Sequence, residues 1–393
     1  MKYSNRLKNL PVQFFASLVQ KVNKAISEGR DVINLGQGNP DQPTPLHIIK
    51  ALQSAALEPQ SHKYSPFRGL PEIKRAVAKF YQNEYGVTLD PDTEVAVLFG
   101  TKTGLVELPM CLLNEGDLML LPDPGYPDYL SGAVLANVRF ETFPLKAENE
   151  FLPDFNSFSE EHKNSAKLMY LNYPNNPTGA TADRSFFEKT VAFAKHNQIT
   201  ILHDFAYGAI GFDGQKPISF LEVPGAKEVG VEMYTLSKTY NMAGWRVGFA
   251  VGNAGVIEAL NLLQDHLYVS LFPAVQQAAI AALTGDQHCV EELVNRYERR
   301  RNVFIEACRN IGWDVIAPKG SFFAWLPVPA GFTSERFADF LLDKADVAVA
   351  AGRGFGEYGE GYVRVGLLVD EELLMEAVNR IEKLELFHQS KMV

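Results

Sequence analysis

The chain has 393 residues and a formal net charge of −10, with 46% hydrophobic and 21% charged residues. These values describe an ordinary globular protein that is long enough for two domains. The acidic balance argues against a protein that binds the phosphate backbone of nucleic acids, because such a protein needs a basic surface.

Two further classes are disfavoured by the distribution of apolar residues and cysteines. No apolar run approaches the roughly 20 residues of a membrane-spanning helix, and the N-terminal segment lacks the apolar core of a signal peptide. The cysteines Cys111, Cys289 and Cys308 are too few and too widely spaced for a disulfide framework or a metal site. We therefore expect a cytoplasmic protein that binds no metal ion, membrane or nucleic acid.

Helices and strands alternate along most of the chain. The spacing of apolar residues predicts helices over 14–28, 70–84, 184–196, 254–267, 273–284, 287–310 and 370–386. Short, nearly continuous apolar runs predict buried strands at 94–99, 117–122, 167–172, 199–204, 231–236 and 246–252. This alternation indicates an α/β fold in which helices cover both faces of a mostly parallel sheet.

The last third of the chain has a different pattern. After a long helix, strands are predicted at 321–328, 346–351 and 361–368, followed by a closing helix. This α+β pattern indicates a smaller second domain, on which the N-terminal helix and the strand at 33–38 are expected to pack. We therefore predict a large domain over 46–288 and a discontinuous small domain over 1–45 and 289–393.

Polar residues follow the predicted strands of the sheet, where open parallel sheets bind their ligands. The first strand runs into Gly100–Gly104, a small-residue turn whose amides could hold a phosphate at a helix N-terminus. The later strands lead to Tyr126, to Asn176, to Asp204 with Tyr207, and to Lys238 with Arg246. Each has an ordinary structural explanation as a turn residue, a helix cap or a solvated lysine. Their convergence on one sheet edge predicts an active site.

One glycine string is rejected as a nucleotide site. Gly354-Phe-Gly356-Glu-Tyr-Gly359 matches the G-x-G-x-x-G pattern of dinucleotide-binding folds. A strand is predicted after it rather than a helix, so no helix N-terminus is available for a pyrophosphate. We therefore expect neither a nicotinamide nor a flavin cofactor.

Five motifs together resemble a known family. The segment Thr235-Leu-Ser-Lys238-Thr-Tyr-Asn-Met-Ala-Gly-Trp-Arg246-Val-Gly resembles the cofactor-lysine motif of class I/II aminotransferases, which are fold type I enzymes that use pyridoxal 5'-phosphate (PLP). Asn176-Pro-Thr-Gly, Asp204-x-x-Tyr207, Tyr64-Ser-Pro-Phe-Arg-Gly69 and Tyr362-Val-Arg364 resemble its other motifs, in the same order. The resemblance extends from Gly36 to the last helix. It implies a large domain with a mostly parallel seven-stranded sheet and a smaller α+β domain.

The resemblance also implies roles for the residues around the cofactor ring. Lys238 would carry PLP as a Schiff base and then move the Cα proton of the substrate. Asp204 would pair with the pyridine nitrogen, so that Lys238, Asp204 and Tyr207 form the catalytic set. Asn176 and Tyr207 would donate to the phenolic oxygen of the ring, and Tyr126 would stack on its face.

The remaining roles concern the phosphate, the substrate and a second subunit. The phosphate would be bound by Gly100, Thr101, Lys102, Thr235, Ser237 and Arg246. Arg364 would bind the α-carboxylate of the substrate, helped by the backbone of Gly38 and by Asn176. Tyr64 would reach the phosphate of the neighbouring subunit, which implies a homodimer with shared active sites.

The predicted reaction is transamination between an amino acid and a 2-oxo acid. Two other hypotheses stay open, because a fold does not determine the reaction type. One is a different PLP reaction, such as that of a carbon–sulfur β-lyase or a decarboxylase, and the other is a non-catalytic PLP-binding sensor. The segment 266–272 contains no arginine for a second carboxylate, and an apolar pocket could instead be lined by Phe14, Phe15, Tyr126 and Phe272.

The whole sequence resembles bacterial methionine-salvage aminotransferases, which convert 4-methylthio-2-oxobutanoate into methionine. Aromatic and branched-chain amino acids are the alternative substrates.

Overall fold

A seven-stranded sheet forms the centre of the larger part of the molecule in the computed structural model, which describes residues 2–387. Its strand order is β2-β8-β7-β6-β5-β3-β4, and β8 runs in the opposite direction to the other six strands. In chain order, the strands of the described residues are β1 (Ile33–Asn34), β2 (Val95–Leu98), β3 (Leu118–Asp123), β4 (Arg139–Pro144), β5 (Ala166–Asn172), β6 (Thr200–Asp204), β7 (Gly230–Thr235), β8 (Gly248–Gly252), β9 (Phe323–Pro327), β10 (Val347–Ala348), β11 (Ala350–Ala351) and β12 (Tyr362–Gly366).

Helices lie on both faces of this sheet. Alternate residues of one strand enter different cores: Val95 and Val97 belong to one apolar cluster, and Ala96 and Leu98 to another. Two buried faces explain why the strands read as continuous apolar runs. The α-helices of the described residues are Asn5–Lys8, Phe14–Ser27, Leu46–Ala56, Pro71–Tyr85, Thr101–Leu112, Tyr129–Ala136, Glu160–Ser165, Arg184–Asn197, Ala226–Val229, Leu236–Thr239, Ala254–Leu267, Pro273–Thr284, His288–Asn310, Ser334–Ala345 and Glu371–Glu382.

A second, smaller core surrounds the three-stranded antiparallel sheet β11-β12-β9. The N-terminal segment joins this part, because β1 pairs in parallel with β10 and the helix Phe14–Ser27 packs against Leu342 and Ala348. The helix His288–Asn310 contacts both parts. Tyr297 packs against Phe212 and Phe322, whereas Phe304 lies in the smaller core. The proposed domain boundaries at residues 46 and 288 stay a prediction.

The predicted α/β fold with a mostly parallel seven-stranded sheet is confirmed, but some elements differ from expectation. The edge strand β4 was not predicted, because most of its side chains are exposed or half-buried and form no apolar run. The strand predicted at 346–351 divides into β10 and β11, which pair with different partners. The last helix ends at Glu382 and not at the predicted residue 386. The chain turns after it: Glu385 has a left-handed φ of 55°, and Phe387 packs on the smaller core.

No helix within residues 2–387 is both long and apolar enough to cross a membrane.

The smaller core gives a stability prediction. Leu341 is completely buried on the helix Ser334–Ala345, so Leu341→Ala should lower the free energy of unfolding by about 2–5 kcal/mol through lost burial and a cavity. Leu373 is half-exposed on the helix Glu371–Glu382, and Leu373→Ala should change that free energy by less than about 0.5 kcal/mol. Urea unfolding followed by circular dichroism measures both variants. Equal losses would contradict the placement of this core.

Candidate active site

A cavity of about 380 Å³ opens beyond the carboxyl ends of the central strands of the large sheet. Because β5, β6 and β7 are neighbours, the residues that follow them meet there. The cavity brings together all of the predicted site residues except Gly100 and Tyr64. Those that line it are Gly38, Thr101, Lys102, Tyr126, Asn176, Asp204, Tyr207, Thr235, Ser237, Lys238, Arg246 and Arg364.

Gly100 and Arg246 are in contact at the edge of this cavity. A Cβ atom on Gly100 would lie 2.5 Å from Nη2 of Arg246, and the φ of Gly100 is +76°, so a glycine is required there. Arg246 itself has a left-handed φ of 58°, and its Nη1 donates to the carbonyl of Ala243 at 2.9 Å. The turn at Gly100 therefore leaves room for the guanidinium beside Thr101.

Asp204 ends β6 and has one oxygen without a hydrogen-bond donor. Its Oδ2 accepts from the hydroxyl of Tyr129 at 2.8 Å, while the buried Oδ1 has no partner among the described residues. Burial raises the pKa of Asp204 to about 6, against the opposing effect of the Tyr129 hydrogen bond. Tyr129 was not predicted, and it lies 75 residues from Asp204 in the chain. A buried free acceptor suits a ligand that donates a hydrogen bond.

Asn172, a second residue that the prediction missed, connects the ends of β5 and β6. Its Nδ2 donates to the carbonyl of Asp204 at 2.7 Å, and its Oδ1 accepts from the amide of Asn176 at 2.7 Å. This side chain holds the Asn-Pro turn against the neighbouring strand. The only sequence signal was its position as the last residue of a buried strand.

Lys238 lies on the short helix Leu236–Thr239 that follows β7, and Thr235 caps this helix. The hydroxyl of Thr235 accepts from the amide of Ser237 at 3.1 Å. Nζ of Lys238 donates to the carbonyl of Gly38 at 3.0 Å. Burial, together with the positive charges of Arg364 and Arg246, lowers the pKa of Lys238 to about 8. A substantial fraction of this amine is therefore neutral near physiological pH.

Lys102 lines the cavity with an ionic partner that was not predicted. Its Nζ lies 2.8 Å from Oδ2 of Asp128, a buried carboxylate that also accepts from Nε2 of Gln13 at 3.2 Å. Tyr126 lies two residues before Asp128, and burial raises its pKa. Tyr207, on the turn after β6, is also buried, which raises its pKa as well. Both phenols therefore stay protonated and can act as hydrogen-bond donors.

Arg364 on β12 is a cation that is only 1% exposed. Its Nη1 donates to Oδ1 of Asn176 at 2.8 Å and its Nη2 to the carbonyl of Gly36 at 3.1 Å, while Nε has no partner among the described residues. Burial lowers the pKa of Arg364 to about 10. Both of these partners are neutral, so the buried guanidinium has no anionic partner among the described residues. A ligand anion would supply one.

Aromatic rings surround this guanidinium. Its central carbon lies 3.9 Å from the ring centroid of Phe323, 4.8 Å from that of Phe355 and 5.1 Å from that of Phe15. The predicted residues Phe15 and Tyr126 line the cavity, and Phe14 packs behind Phe15 with ring centroids 5.2 Å apart. Phe323 was missed because it lies inside a predicted strand, and Phe355 because it lies in the glycine string that was rejected as a nucleotide site.

Phe272 and Tyr64, which were predicted to contribute to a site, do not line the cavity of their own chain. Phe272 is 43% exposed and packs beside His62, so its expected place in the pocket is wrong for a single chain. Tyr64 is 90% exposed. Its proposed reach into a neighbouring subunit stays a prediction.

The glycine string at 354–359 has a packing explanation. It leads into β12, so the expected strand is present. A Cβ atom on Gly354 would lie 2.2 Å from the ring of Phe14, and one on Gly356 would lie 2.1 Å from Oδ1 of Asp123. Asp123 accepts from the amides of Glu357 and Tyr358, each at 2.9 Å. The string therefore fastens the small sheet to the end of β3.

Comparisons with known proteins agree with this geometry. Residues 30–381 match the family described as aminotransferase class I and II. The L-glutamine–4-(methylsulfanyl)-2-oxobutanoate aminotransferase of Bacillus subtilis (strain 168) is 67% identical, over 98% of this chain and 97% of that protein. The LL-diaminopimelate aminotransferase of Desulforudis audaxviator (strain MP104C) is 46% identical, over 96% of each chain.

Solved structures lead to the same family. The substrate-bound BacF structure from Bacillus subtilis superposes with a TM-score of 0.95 at 51% identity, covering 98% of both chains. A family match over most of the chain, together with relatives well above 30% identity, identifies the protein. This chain belongs to the class I and II aminotransferases and is a PLP-dependent aminotransferase of fold type I.

Proposed function

We propose that this aminotransferase acts on apolar amino acids and 2-oxo acids, with methionine and 4-methylthio-2-oxobutanoate as the preferred pair. This proposal rests mainly on the aromatic side chains of Phe15, Tyr126 and Phe323, which line the cavity beside Arg364. A flexible, polarisable thioether packs well against aromatic rings. The 67% identical relative is named for the same oxo acid and for glutamine as donor, which supports this choice.

We propose that the predicted residues hold PLP in the cavity. When bound, PLP supplies the electron sink for the reaction. The free Oδ1 of Asp204 suits the pyridine N–H, and Oδ1 of Asn176 is engaged by Arg364, which leaves its NH₂ group to donate. Tyr207 would donate beside Asn176, and Tyr126 would pack against the ring. The phosphate group would be held by Gly100, Thr101, Lys102, Thr235, Ser237 and Arg246.

Lys238 is proposed to act as both anchor and base. Its Nζ would hold PLP covalently, and the free amine would take the Cα proton of the substrate. This step needs a neutral amine, and a pKa of about 8 supplies one near neutral pH. The neighbouring Arg364 and Arg246 produce this shift, so the groups that bind anions also prepare the base.

Arg364 is proposed to bind the α-carboxylate of the substrate, with Gly38 and Asn176 beside it. A carboxylate would supply the anion that the buried guanidinium lacks, through the planar pair of donors that arginine offers. The other cations that line the cavity are Lys102, Lys238 and Arg246, and each has another role. The side chain of the substrate therefore meets aromatic surface rather than a second arginine.

We further propose that the active form is a cytoplasmic homodimer. Tyr64 and Phe67 are exposed, and Arg68 beside them is bound to Glu258 and Asp265 on the helix Ala254–Leu267. That helix exposes Leu262 and Leu267, so apolar side chains are concentrated on one surface. The free cysteines of the described chain agree with a reducing compartment.

The covalent anchor can be mapped directly. Borohydride reduction of the PLP-loaded enzyme should fix the cofactor on Lys238 and abolish activity. Peptide mass spectrometry would locate the label, and a transamination assay would measure the loss of activity. Lys238→Ala should lower turnover by more than the ~10²–10⁴-fold of ordinary acid–base catalysis, because the covalent link is lost as well. Lys102→Ala serves as the control and should still be labelled at Lys238. Labelling at any other lysine would refute the assignment.

The lowered pKa of Lys238 predicts how cofactor loading depends on pH. Only the neutral amine of Lys238 would react with PLP, so the rate at which the cofactor-free protein takes up PLP should rise with pH and level off above about pH 8. Arg364→Gln removes one of the charges that lower this pKa, and should move the midpoint to higher pH. Arg336→Gln on an exposed helix face should not. Stopped-flow absorbance measures the rates, and a midpoint near the usual lysine value of about 10.4 would contradict the proposal.

The aromatic pocket predicts the order of oxo-acid substrates. The kcat/KM for 4-methylthio-2-oxobutanoate should exceed that for oxaloacetate, because an apolar pocket gives the second carboxylate no partner. The kcat/KM for aromatic 2-oxo acids should be closer to that for 4-methylthio-2-oxobutanoate, with a difference of about 1–3 kcal/mol in transition-state binding. Steady-state kinetics with one amino donor rank the three acceptors. A preference for oxaloacetate would rule out the methionine-type proposal.

A further inference from the structure

Tyr129 donates the one side-chain hydrogen bond that Asp204 receives among the described residues. Its hydroxyl lies 2.8 Å from Oδ2 of Asp204, and both side chains are buried. Tyr129 begins the helix Tyr129–Ala136, three residues after Tyr126 of the cavity wall. No motif marked this residue, and the proposed binding of PLP assigns it no role. The hydrogen bond joins the end of β6 to a helix from a distant part of the chain.

Packing fixes the phenol of Tyr129 in this position. Its ring meets that of Tyr170 edge-on, with centroids 5.3 Å apart and planes at 88°. It meets the ring of Tyr126 in the same way, with centroids 5.6 Å apart. The hydroxyl of Tyr170 in turn donates to the carbonyl of Leu105 at 2.7 Å. A closely packed ring has little freedom to rotate, so the hydroxyl of Tyr129 stays directed at Asp204.

The hydrogen bond to Oδ2 determines how Asp204 can bind a ligand. Oδ1 is the oxygen of this carboxylate that has no donor among the described residues. The backbone of Asp204 is also held, because Nδ2 of Asn172 donates to its carbonyl at 2.7 Å. Asp204 can therefore present one oriented acceptor, Oδ1, to a ligand in the cavity that it lines.

The same hydrogen bond favours the ionised form of Asp204. Burial raises the pKa of this carboxyl to about 6, and the hydroxyl of Tyr129 opposes burial more than any other group does. Without that donor the pKa would rise further, since a hydrogen bond to a carboxylate stabilises its charge. At a pKa of about 6 the carboxyl is mostly ionised at pH 7. The other titratable groups near it are His203, Lys238, Tyr126, Tyr170 and Tyr207.

We propose that Tyr129 is a positioning residue for the reaction, which holds Asp204 ionised and directs its free oxygen at the pyridine nitrogen of PLP. A carboxylate of low proton affinity leaves the shared proton on the ring nitrogen, where it supports the electron sink. If Asp204 took up that proton instead, the ring nitrogen would lose its charge. This inference rests on the proposed role of Asp204.

The test measures the titration of Asp204 in the cofactor-free, full-length protein. Carbon-13 NMR of protein labelled in its aspartate side chains follows this carboxyl, and Asp204→Asn identifies its signal by the loss of it. Tyr129→Phe removes the hydroxyl and keeps the ring. Tyr170→Phe is the matched control, because it removes a similarly buried hydroxyl from the neighbouring ring that bonds to Leu105 and not to Asp204.

The unmodified protein should titrate at this carboxyl with a midpoint near pH 6. Tyr129→Phe should move the midpoint up by about one pH unit, so that a much larger fraction of Asp204 is neutral at pH 7. Tyr170→Phe should leave the midpoint where it was. An unchanged midpoint in a folded Tyr129→Phe would overturn the proposal, and so would an equal shift in Tyr170→Phe.

A second replacement serves if Tyr129→Phe does not fold, as circular dichroism would show. The amino acid 3-fluorotyrosine at position 129 changes the ring volume little, and its more acidic hydroxyl donates a stronger hydrogen bond. The midpoint of Asp204 should then move to lower pH. A midpoint that stays in place would refute the role of Tyr129.

Measurements on the PLP-loaded enzyme separate this inference from the proposed function. With PLP labelled with ¹⁵N at its ring nitrogen, the ring should be protonated in the unmodified enzyme and less protonated in Tyr129→Phe. If Asp204→Asn loses turnover while Tyr129→Phe keeps the normal ring signal, the role of Asp204 stands and that of Tyr129 is refuted. If Asp204→Asn keeps both the ring signal and turnover, the role of Asp204 is wrong and this inference falls with it.

Discussion

The active site depends on a positive charge that is buried without an anionic partner among residues 2–387. The guanidinium of Arg364 is held by the amide oxygen of Asn176 and the carbonyl of Gly36, between aromatic rings. Withdrawing an ion from water is costly unless a counter-charge replaces the lost hydration. In the proposed function a substrate carboxylate would provide that counter-charge, and the fold would hold Arg364 in place for it. The same charge lowers the pKa of Lys238.

The large sheet sets the positions of the other polar groups of the site relative to Arg364. Three neighbouring strands, β5, β6 and β7, deliver Asn176, Asp204 and Lys238 to one edge. Hydrogen bonds across these strands occur on both faces, through Asn172 on the cavity side and through the His203–Glu232 pair behind it. Sites built on packed strands hold their geometry more closely than sites on loops. The small sheet contributes β12, which the Gly356 contact with Asp123 fastens to the same edge.

Much of this arrangement could be predicted from the sequence, for identifiable reasons. Strands with two buried faces give continuous apolar runs, whereas the edge strand β4 gives none and was missed. Lys238 and Asp204, which the family motifs singled out, line the cavity, and their roles stay a prediction. Local patterns carry no information about contacts between distant segments, so Tyr129 as the partner of Asp204 was not found. The same limit explains the error at Phe272, whose ring lies outside the pocket of its own chain.

Substrate binding by Arg364 is best tested by replacing it with alanine and with lysine, and measuring kcat/KM for methionine in each. Arg364→Ala should lower kcat/KM by an amount equal to about 2–5 kcal/mol of lost transition-state stabilisation, because the substrate carboxylate loses its partner in a buried site. Arg364→Lys should recover only part of this loss, since an ammonium group cannot bond both oxygens of a carboxylate in one plane. A normal kcat/KM in Arg364→Ala would show that the carboxylate binds elsewhere.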